Sequence, residues 1–211
     1  MVASNFVQDG EKRRTLPLTG KEDAEPLIEK SIEAPFSFEY IENQLRKKHF
    51  GILSTISLQN RPHSVGVVYA VSPFTYNDHR NLPFYLYLIT RPVLKKARNI
   101  RNNPNVSFVV PFPHYLFRML PHACIQFQGK AEFIPINDPI ATKAFQSSIV
   151  LRRSMVHSLS LGESTFIKII PDGKIFTFGI NANIWQYIMR SKNKTLGNYY
   201  VVVPQRKAIA G

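Results

Sequence analysis

Four side chains near the middle of the chain, Thr90, Lys95, Lys96 and Arg98, have the types and spacing to grip a phosphate. Thr90 closes an aromatic and β-branched run that starts at Phe84, Arg91-Pro92 turns the chain, and the cations fall at the start of a helical pattern. A hydroxyl at a strand end and ammonium groups beside the positive end of a helix dipole surround an anion with charge-assisted donors. A solvated cationic helix face has the same composition, so the surrounding elements must decide what docks there.

Those elements are mostly short strands. Ser37 can cap a helix whose Phe38, Ile41 and Leu45 share one face, with Arg46, Lys47 and Lys48 at its end. Phe50–Leu58 and His63–Val71 read as an antiparallel hairpin around the turn Gln59-Asn60-Arg61-Pro62, and Phe84–Thr90 as a third strand. A basic helix over Val93–Asn103 must stop before Pro104, and Val106–Val110 follows as a fourth strand. The proline-bounded aromatic stretch from Pro111 to Pro121 is expected to cover a site or a partner subunit.

Ala123–Ile134 alternates as a fifth strand, with Gly129 as a bulge or point of close approach. Asn137-Asp138-Pro139 starts a helix expected to run through Phe145 and Ile149 to about Leu151. Thr165–Ile170 and Ile175–Phe178 flank Pro171-Asp-Gly-Lys174, which predicts a second hairpin, and Tyr199–Val203 is a last strand. Many short strands with two interspersed helices and no βαβ alternation predict a mainly β fold, an antiparallel barrel over residues 36–211. Residues 1–35, polar and broken by prolines, read as an extended and partly disordered arm.

Composition narrows the function classes. In 211 residues, 44% are hydrophobic and 19% charged, with 15 Phe and 9 Tyr, which suits one globular β-rich domain. The net charge of +13 favours anionic partners of some kind. A single cysteine, Cys124, excludes an intramolecular disulfide, and no apolar run approaches the roughly 20 residues of a bilayer span, so a soluble cytoplasmic protein is expected. His63, His114, His122 and His157 lack metal-ligand spacing, so no metal is expected, and no G-x-S-x-G, P-loop or G-x-G-x-x-G is present.

The segment L-Y-L-I-T-R-P-V-L-K-K-A-R-N-I-R-N-N-P-N-V-S-F-V-V resembles the signature of the pyridoxamine-phosphate-oxidase-like, FMN-binding split barrels. Upstream, G-I-L-S-T-I-S-L-Q-N-R-P-H-S-V-G-V-V-Y-A-V is similar to that family's first hairpin, and Q-F-Q-G-K-A-E-F to a later strand, all in the family's order from Phe50 to Ile134. The resemblance implies a split β-barrel of antiparallel Greek-key type. It also implies a homodimer with FMN at the subunit interface and a small-molecule substrate.

Residue by residue, it puts Thr90, Lys95 and Lys96 on the FMN phosphate and ribityl chain. Ser64, Val65, Gly66, Val67 and Val68 would lie along the flavin ring, with Gln126 facing it from another strand and Trp185 as a further cofactor-binding candidate. Val65 stands where pyridoxamine-phosphate oxidases carry a phosphate-binding Arg, and no Arg-His-Asp-Arg substrate motif surrounds Trp185 and Arg190. The resemblance therefore implies a flavin-dependent oxidoreductase and speaks against vitamin B6 oxidation. The alternatives are a deazaflavin-dependent reductase of the same fold and, from charge alone, a basic nucleic-acid-binding protein.

Overall fold

Alternation along the strands sets the architecture. The computed structural model describes residues 32–35, 37–73, 84–113, 122–180 and 198–202. Most of the arm, the stretch 114–121, Trp185 and the basic run 190–194 lie outside these residues.

In β2 (Phe50–Ile56) Gly51, Leu53 and Thr55 are buried while Phe50 and Ile56 face outward, and β6 (Ala123–Ile134) buries every second residue from Ala123 to Ala131. A period of two presents one apolar face, and strands that share such a face close on it. β2 pairs with β3 (Pro62–Val71) and β5 (Asn105–Phe112), β3 with β4 (Leu86–Thr90), β4 with β7 (Thr165–Phe178), β7 with β6, and β6 with β5, all antiparallel. These six strands close a barrel. Leu53, Tyr69, Leu88, Phe108, Phe127 and Ile167 fill its interior, each almost fully buried. Beyond it, β8 (Asn198–Val202) pairs with the second half of β7, and β1 (Ile32–Glu33), from the end of the predicted arm, lies parallel to β8.

The helices sit outside the barrel wall. α1 (Phe38–Arg46) starts at the predicted cap, where the Ser37 hydroxyl accepts from the Tyr40 amide at 3.3 Å. The buried Tyr69 hydroxyl donates to the Leu45 carbonyl at 2.8 Å, which fastens α1 to β3. α2 (Lys95–Asn102) is held by Asn99, whose side-chain amide donates to the buried Thr55 hydroxyl at 2.9 Å. Among the described residues no helix is long and apolar enough to cross a membrane.

Two expectations need correction. The helix predicted from Asp138 to about Leu151 is two helices, α3 (Pro139–Phe145) and α4 (Ile149–Ser160), which brings the described residues to four helices. Ser148 adopts extended backbone and its hydroxyl accepts from the Leu151 amide at 3.2 Å, so it restarts the helix as a new cap. The continuation to Ser160 lacked an apolar stripe, since Leu151 is its one fully buried residue.

The second correction concerns Pro171-Asp-Gly-Lys174. It is not a hairpin turn: Thr165–Phe178 is a single strand, and both halves run antiparallel to β6. Asp172, Gly173 and Lys174 stand opposite Gln128 alone, with Gly173 at φ 71°, so the turn-forming residues make a bulge. Gly129 sits at that irregularity, as its position suggested. A Cβ there would lie 2.3 Å from the Ile170 carbonyl oxygen.

A second apolar cluster lies outside the barrel, where α3 and α4 cover β3 and β4. Ala70, Tyr85, Tyr87, Phe145, Leu151 and Phe166 form its centre, and burying a side chain such as Phe145 contributes about 2 kcal/mol or more. This cluster brings α4 beside the start of α2.

Candidate functional site

Strands β3 and β4 part company at one end of the barrel. Their ladder covers only Tyr69–Val71 against Leu86–Leu88, although β3 extends back to Pro62 and β4 forward to Thr90. From Val68 to Gly66 the β4-facing edge of β3 is therefore outside that ladder, and its backbone groups border a cleft. Backbone donors and acceptors at such a split can serve a ligand.

The cleft has a volume of about 200 Å³. Gly66, Val67 and Val68 form one side and Ile89 the strand wall opposite. Lys96 enters from α2, and Phe145, Ser154 and Ser158 close it from α3 and α4. On the outer face of β3 the Phe50 ring lies over Gly66. A Cβ at that position would come within 2.8 Å of the exposed Phe50 ring.

Lys96 supplies the charge. It is half-buried, and desolvation followed by the nearby Arg91 guanidinium holds its pKa below the ordinary lysine value of 10.5. Burial and a like-charged neighbour both disfavour the ammonium form, and an anion placed between the two cations removes the second penalty. The helix start adds to this: Leu94 at the N-cap offers no side-chain hydrogen bond, and the first turn of α2 carries no acidic residue. That end of the helix keeps its positive dipole without an acidic side chain to answer it. The Arg101 guanidinium donates to the Pro92 carbonyl at 3.1 Å and ties the far end of the helix back to the turn.

The structure thus brings Gly66, Val67, Val68 and Lys96 together. Val67 joins through its backbone, because its side chain is buried in the barrel interior, and Val65 also packs toward that core. Ser64 lies on the outer face further along β3, its hydroxyl 2.8 Å from that of Ser54. Thr90 is buried at the strand end, pairs with Thr165, and is absent from the cleft lining. Lys95 is exposed beside the cleft. Gln126 is exposed on β6, across the barrel from β3, so within one chain it does not meet Lys96.

Sequence reasoning missed Ile89, Phe145, Ser154 and Ser158. The two serines are four residues apart, which on a helix aligns them on one face. That signal was invisible while the chain beyond Leu151 carried no helix assignment.

The model of the family described as pyridoxamine 5'-phosphate oxidase matches residues 38–172, more than half of the sequence. The chain belongs to the pyridoxamine 5'-phosphate oxidase family. The match runs from the start of α1 into the bulge of β7 and includes every residue of the cleft. Among proteins of curated function, none matches.

Several solved structures align with this family member. The heme storage protein HutZ of Vibrio cholerae is 14% identical, with 67% of this chain and 94% of that one covered at a TM-score of 0.49. An FAD-binding protein from Mesorhizobium loti is 22% identical, covering 66% and 90% at 0.47. General stress protein 26 of Bacillus anthracis is 22% identical, covering 64% and 88% at 0.43.

Proposed function

We propose that this member of the pyridoxamine 5'-phosphate oxidase family is an FMN-binding flavoprotein, an oxidoreductase acting on a small substrate as a homodimer. The observation that carries this reading is Lys96, half-buried beside Arg91 at the split between β3 and β4. The residues present fit the phosphate end of the cofactor. Lys96 offers a charge-assisted donor, and Ser154 and Ser158 offer hydroxyls.

The cleft is smaller than the roughly 300 Å³ at which ordinary small-molecule pockets begin. Its 200 Å³ suits the phosphate and adjoining carbons. The ring would then lie on the outer face of β3, near Phe50, and a second subunit would cover it; Gln126 and Trp185 would belong to that completed site.

Bound FMN supplies hydride or electron transfer, and the protein supplies position and access. Lys96 neutralises the phosphate, the β3 edge orients the ring, and the α3–α4 pair shuts one side to water. No acid or base in the cleft is assigned to proton transfer.

The absorption spectrum of the freshly purified protein tests this directly. The visible bands of an oxidised flavin, released as FMN on denaturation, are the expected result. A colourless protein whose melting temperature FMN leaves unchanged would overturn it, and a heme spectrum would replace the cofactor.

A further inference from the structure

A larger cavity, about 670 Å³, opens on the other side of the α3–α4 junction. Three basic side chains line it from three elements: Arg46 at the end of α1, His49 just before β2, and Lys143 on α3. Gln146, Ser147 and Ser148 add polar groups, and among the described residues no carboxylate lines it. Val71, Pro73, Ala144 and Leu151 give it an apolar side.

The donors are available in different degrees. Arg46 already pairs with Glu42 on its own helix, whereas Lys143, exposed on α3, has no ion pair among the described residues. The Ser148 oxygen accepts from the Leu151 amide, so its hydrogen is free to donate into the cavity. Ser147 donates to the Ala144 carbonyl at 2.7 Å and can only accept. Burial lowers the His49 pKa and a ring N–H is engaged by the Lys48 backbone, so His49 lends the cavity wall a polar ring rather than a charge.

We infer that this cavity is a second binding site, for a small molecule that carries a phosphate or carboxylate on an apolar body. The cations and the Ser148 hydroxyl take the anionic end, and the apolar side takes the body; the volume lies within the range of ligand pockets, about 300–1,000 Å³. The site is separate from the Lys96 cleft. Ala70, Phe145 and Leu151 pack between the two as one apolar cluster, and the cavity shares no lining residue with the cleft. The inference therefore does not rest on the flavin reading.

Calorimetric titration of the full chain with 1-naphthyl phosphate, and in parallel with 1-naphthoate, tests it. Saturable binding of one or both is expected, and the comparison tells which anion the cations favour. Lys143→Glu should weaken binding about tenfold or more, the scale of one lost charge-assisted hydrogen bond, and His49→Ala several-fold. Lys96→Ala should leave it unchanged. Circular dichroism confirms that the variants fold, which is expected because Lys143 is exposed. Failure of the wild type to bind either probe, or binding by Lys143→Glu and His49→Ala at wild-type strength, overturns the site. Loss of binding in Lys96→Ala also overturns it, since the probe would then occupy the other cleft.

Discussion

Lys95 and Lys96 are neighbours in sequence with opposite surroundings: the first is exposed, the second half-buried within the field of another cation, Arg91. A charge in a partly desolvated cleft acts on an anion through a lower effective dielectric than one in open solvent. Lys96→Ala is expected to weaken FMN binding by about 10²-fold and Lys95→Ala by no more than a few-fold, as measured by quenching of flavin fluorescence. Equal losses would place the phosphate midway between them.

The depressed Lys96 pKa also fixes the direction of a pH effect. Between that lowered value and 10.5, the unfolded chain binds more protons than the folded one, so this group's contribution to the stability of the free protein rises as pH climbs through the window. Cofactor affinity moves the opposite way, because the phosphate needs the ammonium form. FMN affinity should begin to fall below the usual lysine range, and Lys96→Arg should flatten the fall, because guanidinium stays charged. An unchanged profile in that variant would assign the titration to another group.

At the scale of elements, the cleft depends on how α2 is seated and how β7 bends. The Asn99–Thr55 hydrogen bond is buried, and Asn99→Ala leaves Thr55 without that donor inside the barrel mouth. A loss of about 1–3 kcal/mol in denaturant unfolding is expected, with weaker FMN binding as the start of α2 loosens. Gly129→Ala sets a methyl 2.3 Å from a backbone carbonyl at the bulge, where no side chain can swing away. Its cost should reach about 2–4 kcal/mol, with a fall in melting temperature of about 4–16 °C on the usual scaling for a chain of this size. A Gly129→Ala protein as stable as the wild type would mean that β6 and β7 can shift past each other.

At the scale of the whole molecule, Phe50 is 54% exposed on the same outer face as Gly66, and α4 exposes Ile149, Val150, Val156 and Leu159. Large exposed apolar side chains on strand and helix surfaces are candidates for contact with a partner. The proposed dimer puts its partner over Phe50 and the flavin ring. Phe50→Asp is expected to shift the protein from dimer to monomer in sedimentation and to weaken FMN binding with it. A variant that stays dimeric with full FMN affinity would move the interface elsewhere.

Much of this molecule was legible in its residues, because local rules acted without competition. Alternation gave the strands of the barrel, Ser37 the start of α1, Pro104 the limit of α2, and Gly129 the irregularity in β6. The split-barrel family followed from three segments in order, and four of the expected site residues, Gly66, Val67, Val68 and Lys96, line one cleft.

What the residues could not decide depends on neighbours remote in sequence. Pro171-Asp-Gly-Lys174 has the composition of a turn, and only continuous pairing with β6 makes it a bulge. Ser154 and Ser158 join the cleft because Phe145 and Leu151 find an apolar face on β3 and β4, a contact with no local signature. Thr90 and Lys96 are close in sequence, yet the strand turns one into the wall while the helix turns the other toward the split. The sequence determined which groups could meet an anion, and tertiary packing determined which of them share a desolvated space.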